Sequence, residues 1–344
     1  MQTIHLSRTD PDAFHSLQEA VLAIPDDRSE PVRILVSPGI YEEKVWIRKE
    51  NLEIIGEQPE NTIFRYGDGA RKPRPDGSGE YGTFNTAVLL LAGQNIHVEN
   101  LTVENTAGPG SIAGQALALY AAADRCSFRN CRFIGWQDTL FAGDAEDCSM
   151  KRLMLPDFFA QSSVPAAHPV IRNYFRDCYI SGDVDFIFGP STAYFDHCEI
   201  HSRKRQSEDR AFITAASTPA GQEYGLVFSH CRLTGDSQYH SVYLGRPWRD
   251  LAKTAFVHCH MDSHICPEGW HNWGKARAEA LCSYVEAFNS GPGAQPQARV
   301  PFSRQLDNPE LESYYSVENV LRGEDGWRGE VICSPTQPHC LPAR

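Results

Sequence analysis

Between residues 98 and 261 one arrangement of apolar and polar positions keeps returning: Phe, two residues, Cys, any residue, then a large apolar side chain. It reads Phe128-Arg129-Asn130-Cys131-Arg132-Phe133 and Phe175-Arg176-Asp177-Cys178-Tyr179-Ile180. It returns as Phe195-Asp196-His197-Cys198-Glu199-Ile200, Phe228-Ser229-His230-Cys231-Arg232-Leu233 and Phe256-Val257-His258-Cys259-His260-Met261. Val98-Glu99-Asn100-Leu101-Thr102-Val103 is a degenerate first copy. The last three residues alternate in, out, in, as a strand with one buried face requires, and the two residues before Cys break that alternation as a bend. Strand, bend and strand, restacked every roughly 20 to 50 residues, describe a solenoid. The coils lack a helical period, which leaves a parallel β-helix. Stacking then predicts Cys131, Cys178, Cys198, Cys231 and Cys259 in one interior ladder, where a free thiol packs as a small hydrophobe.

Both ends read as caps on the open coils. Asp10-Pro11 predicts a helix start, with Phe14, Leu17, Val21 and Ile24 near one helical face. The Gly-, Pro- and charge-rich stretch 65–82 and the charged run 203–210 predict surface loops. From Phe141 to Arg172 the chain leaves the coil path for a long excursion. The expected organisation is one domain: an N-terminal cap over 1–30, coils over 31–290, and a helical and loop tail over 291–344 packing on the coils.

Composition narrows the partners more than the fold. With 41% hydrophobic and 22% charged residues, the 344-residue chain can bury a sizeable core. A formal net charge of -12 argues against nucleic acid and anionic membranes, which demand a basic surface. No apolar run approaches a membrane span, and the first residues lack a basic then apolar leader pattern, so a cytoplasmic protein is expected. Eleven cysteines, five of them in the repeat, fit free thiols in a reducing compartment. His258, Cys259, His260, His264 and Cys266 crowd together, yet alternation points Cys259 and His260 to opposite faces. No metal and no cofactor are expected.

Five segments place polar groups beside strand-like apolar runs: Gly39 to Glu43 (GIYEE), Gly114 to Tyr120 (GQALALY), Gly135 to Leu140 (GWQDTL), Gly182 to Gly189 (GDVDFIFG) and Leu244 to Trp248 (LGRPW). In consecutive coils such segments stack about 4.8 Å apart, so Asp138 and Asp185 would face each other. Two close carboxylates resist joint ionisation, so the pKa of one is expected to rise and that of the other to fall, with an arginine deciding which. Gly39, Tyr41 and Glu43 are read as structural elements of the first coil.

The set and its order resemble the pectin methylesterases, carbohydrate esterases of the right-handed parallel β-helix class. The resemblance extends through Tyr284 to Ala294 and Tyr315 to Trp327, and so covers nearly the whole chain. It implies an all-β fold and hydrolysis of methyl esters in pectin or methylated oligogalacturonides, and a monomer is expected. By the same resemblance Asp185 is the nucleophile, Asp138 the general acid and base, Gln115 and Gln137 the oxyanion amides, and Arg246 the residue that orients Asp185. Trp248, Tyr120, Phe186 and Thr83 correspond to sugar-contacting positions. Asp138 and Asp185 lie farther apart in sequence than one coil because of the 141–172 excursion; with the acidic net charge, this suggests short or neutral methylated substrates. Two other readings remain at this point. One is a polygalacturonase- or pectate-lyase-like depolymerase, although no acidic cluster suited to Ca²⁺ accompanies the aspartates. The other is a non-catalytic carbohydrate-binding β-helix.

Overall fold

The computed structural model describes residues 1–28, 30–144, 171–205, 210–236 and 239–329. Its strands pair in parallel and build three faces of an all-β parallel helix. One face is an 8-stranded sheet from Gly39–Tyr41 to His260–Met261. The other two form what is formally one 16-stranded sheet, because the strands Val45–Gly56 and Leu89–Glu99 run around a corner and pair on both sides of it. Asn51 and Asn95 make that corner with φ of 51° and 55°.

The bend anticipated before each Cys has a single cause. Asn100, Asn130, Asp177, His197, His230 and His258 all adopt the left-handed conformation, with φ of 58, 49, 53, 52, 54 and 53°. Asn, Asp and His tolerate it better than other residues with a Cβ, which is why the pattern is polar there. Inside the bend the repeat's phenylalanines stack coil on coil: Phe128, Phe175, Phe195, Phe228 and Phe256 have successive ring centroids 4.6, 4.7, 4.5 and 4.5 Å apart. The five cysteines form the interior ladder, each at most 2% exposed. They do more than fill space. The thiols of Cys178, Cys198, Cys231 and Cys259 donate to the carbonyls of Phe128, Phe175, Phe195 and Phe228 in the coil before, at 3.3 to 3.6 Å. One coil later Asn289 takes the Cys position and its amide donates to the Phe256 carbonyl at 3.0 Å. All eight cysteines among the described residues are free.

Both caps differ from expectation in detail. Residues Gln2–Leu6 form a strand paired with Val32–Val36, so the N-terminal segment contributes a rung as well as a helix. The helix spans Leu17–Leu22 rather than starting at Asp10-Pro11. Phe14 is instead tied into a backbone bridge with His5 and Ser7. Ser16 caps the helix, and the Glu43 carboxylate accepts from Ser16 Oγ and the Leu17 and Gln18 amides at 2.7, 2.9 and 3.3 Å. That gives Glu43 its structural role, and Tyr41 stacks on Phe64 at 4.9 Å. At the other end Ser303–Leu306 adds a strand beyond residue 290 before the short helices Glu310–Tyr314 and Val317–Val320. Arg172 pins this tail: its guanidinium donates to buried Asp124 and to Asp325 at 2.8 and 2.6 Å. The phenylalanine column meanwhile turns polar, for Glu286 pairs beside Phe256 and its buried carboxylate is held by Arg299 at 2.9 Å.

Phe141 and Arg172 themselves belong to strands, Leu140–Ala142 and Arg172–Arg176, so the excursion is shorter than read; residues 145–170 lie outside the described residues. So do 206–209 of the charged run. No helix among the described residues is long and apolar enough to cross a membrane.

The ring column predicts a large penalty for one cavity. Phe195→Ala, removing a ring stacked on both sides, is expected to destabilise the chain by about 3–5 kcal/mol, read as a lower urea midpoint. A midpoint equal to wild type would contradict it.

Candidate active site

Four of the five motif segments converge on the face built from Leu119–Ala121, Leu140–Ala142, Val184–Gly189, Ala211–Ala216 and Val242–Gly245, while Gly39–Tyr41 lies on the 8-stranded sheet. Leu140 pairs with Ile187, so Asp138 and Asp185, each two residues earlier, come level on adjacent coils. The Asp138 amide donates to the Val184 carbonyl at 3.0 Å, and the Ala116 amide donates to the Gln137 carbonyl at 3.0 Å, which places Gln115 on the next rung.

Both aspartates have left-handed backbones, φ 62° at Asp138 and 49° at Asp185. Asp185 also sits in a β-bulge, since the pairing of its strand with Ala211–Ala216 shifts between Val184 and Ile187. Such irregularities re-aim side chains beside functional sites. Here they coincide with the two acidic residues of the motifs.

Arg246 follows the strand Val242–Gly245 and reaches back across two rungs. Its Nε and Nη2 donate to the two carboxylate oxygens of Asp185 at 2.8 and 2.6 Å, a bidentate fork. The guanidinium is clamped between two rings, Phe212 at 3.9 Å and Trp273 at 3.8 Å. Neither clamp residue was singled out in the sequence. Phe212 reads there as an ordinary strand residue, and only the short spacing of Trp270 and Trp273 after a Gly marks an unusual turn. Gly110 is a second omission. A Cβ at this position would lie 2.3 Å from the Gln137 Oε1, so its absence makes room for that amide.

Asp138 is 9% and Asp185 6% exposed. Burial raises the pKa of both. For Asp138 the charge of Asp185 adds to burial and lifts it well above the usual carboxylate range. For Asp185 the hydrogen bonds and charge of Arg246 oppose burial, and the rise is smaller. The expectation that one value rises and the other falls is therefore corrected: desolvation lifts both, and the guanidinium separates them.

The sugar-contact candidates divide. Trp248 is half-buried at the edge of the site, its ring 5.6 Å from Phe188 and 6.5 Å from Phe141. Tyr120 is fully buried between Phe84 at 5.7 Å and Phe141 at 4.8 Å, so it supports the floor and offers no surface. Phe186 is also fully buried, packed in the interior core, because alternation turns it inward beside Asp185. Thr83 begins a short 3₁₀ turn and is half-buried.

A family model described as Pectinesterase matches residues 4–147 and 166–324. Among curated relatives, Pectinesterase 31 of Arabidopsis thaliana is 36% identical over 319 residues, covering 90% of each chain. Among solved structures, pectin methylesterase from carrot superposes with a TM-score of 0.78 at 25% identity, covering 93% of each chain. A pectin methylesterase in complex with a hexasaccharide superposes with a TM-score of 0.75 at 26% identity, covering 98% of this chain and 99% of that one. The cytoplasmic expectation finds no support in these relatives. With motifs, fold and site geometry in agreement, the chain belongs to the pectinesterase family and is a carboxylic ester hydrolase.

Proposed function

We propose that the chain demethylates galacturonate methyl esters of pectin or its oligomers, with Asp185 as nucleophile and Asp138 as general acid and base. The reading rests on one observation above all: a single guanidinium grips Asp185 with both donors while Asp138, level with it on the next coil, has no such partner among the described residues. Asp185 then carries the negative charge and Asp138 the proton.

In the first half-reaction a carboxylate oxygen of Asp185 attacks the ester carbonyl and the C–OCH₃ bond breaks. Asp138 gives its proton to the departing methoxide, releasing methanol and leaving an acyl-enzyme anhydride. In the second, the now ionised Asp138 takes a proton from water, hydroxide attacks the anhydride, and Asp185 leaves as carboxylate. Gln115 and Gln137 donate to the oxyanion of each tetrahedral intermediate. Trp248 supplies the aromatic surface for a sugar ring, with its apolar body half-exposed beside the pair. A depolymerase reading is not favoured, since the family model and the curated relatives that match are pectinesterases.

Five outcomes are expected. Asp185→Ala abolishes methanol release without altering the circular dichroism spectrum; turnover near wild type would remove the nucleophile assignment. Asp138→Asn lowers kcat by roughly 10²–10⁴-fold, because an amide cannot shuttle a proton. Methanol appears without new reducing ends or unsaturated products, and either of those would favour a depolymerase. The pH profile is bell-shaped: activity rises as Asp185 ionises and falls as Asp138 loses its proton at higher pH. Trp273→Ala loosens Arg246, raises the pKa of Asp185 further, and moves the acid limb to higher pH; an unmoved limb would contradict the clamp.

A further inference from the structure

At the corner that follows the Phe column the bend residues are on the outside. The left-handed turn demands only tolerance of positive φ, and Asn100, Asn130 and Asp177 meet that demand in the earlier coils. In the next three coils the same position is His. The rings of His197, His230 and His258 stack in line, with centroids 5.0 Å apart at both steps. Backbone geometry alone does not call for imidazole three times.

We infer that Asp196, His197 and His230 form a surface site for a borderline divalent transition metal of the Zn²⁺ class, joining two consecutive coils. One donor atom from each of the three lies within 4.8 Å of the other two. The ring nitrogens are already oriented. His197 Nδ1 is 2.7 Å from Asp196 Oδ1, and Tyr174 donates its hydroxyl to the other oxygen of that carboxylate at 2.8 Å. His230 Nδ1 is 2.9 Å from Ser229 Oγ. Ser229 on Nδ1 fixes the His230 ring and leaves its Nε2 to ligate, whereas a metal ion would take the place of the proton between His197 Nδ1 and Asp196. Metal–nitrogen bonds of about 2.0–2.1 Å require the donors to close by roughly 1 Å, which two exposed rings achieve by small side-chain rotations.

Two imidazoles with a carboxylate select Zn²⁺, Ni²⁺ or Cu²⁺ over Ca²⁺ and Mg²⁺, which take oxygen donors. The surroundings supply further negative charge. A hollow of about 430 Å³ at this corner is walled on its far side by Glu312 and Glu318 of the C-terminal helices, and Glu312 lies 3.2 Å from His258 Nε2. A cation here would neutralise carboxylates from the coils and the tail together. The segment first considered for metal, His258 to Cys266, is different: Cys259 is fully buried while His260 is exposed on the opposite face.

The test is calorimetric titration of ZnCl₂ into the full chain after chelator treatment, with CaCl₂ as comparison. One equivalent of Zn²⁺ is expected to bind with micromolar affinity, and Ca²⁺ not at all. His230→Asn and His197→Asn place at the bend the residue that the fold itself uses in earlier coils, so folding should survive. Methanol release in metal-free buffer serves as the check on that. Each variant should bind Zn²⁺ at least about tenfold more weakly. Absence of Zn²⁺ binding at millimolar concentration, or binding undiminished in both variants, would overturn the site.

Discussion

One guanidinium grips one of two buried carboxylates, and the electrostatics of the site turn on that imbalance. Removing carboxyl groups from water disfavours their charged forms, so burial pushes the pKa of both aspartates up and Arg246 opposes that rise at Asp185. The fork to Asp185 restores charge to one alone. A guanidinium performs this well because it is planar and its two donors match a carboxylate edge, while its faces remain free for aromatic rings. Phe212 and Trp273 use those faces, which leaves the cation little freedom to swing toward Asp138.

The solenoid makes the arrangement possible by converting distance in sequence into height. Asp138 and Asp185 come from adjacent rungs of one face and Arg246 from the second rung beyond Asp185, each held by parallel pairing at or beside it. The register is in turn held by the interior. Stacked phenylalanine rings and thiols donating to the preceding coil's carbonyls would both be lost if any coil slipped by one residue. A core ladder and a surface site are thus two readings of the same register.

Much of this was legible in the sequence because the coil is short and repeats. The Phe-x-x-Cys pattern marks the bend, the interior column and the strand that follows, and the motif segments name Asp138, Asp185, Gln115, Gln137 and Arg246. What remained hidden depends on contacts between distant coils. Trp273 and Phe212 carry no local signature of an arginine clamp, and Gly110 matters only because Gln137 passes over it. Phe186 and Tyr120 stand within the motif segments, yet inward alternation and the covering ring of Phe84 decide their exposure. The helix start at Ser16 escaped notice because its capping partner, Glu43, lies in the next coil.

The polar end of the phenylalanine column bears on assembly. A stack of parallel coils is open at both ends, and an apolar last rung would welcome a second molecule as readily as another turn of the same chain. Here the column stops at Glu286, enclosed by Arg299, Trp270 and Gln305. The strand Ser303–Leu306 already pairs over that rung, with Gln305 level with Glu286, so an incoming coil would meet a polar strand rather than an apolar ring. Filament growth from this end is thereby discouraged, and the helix is given a definite length.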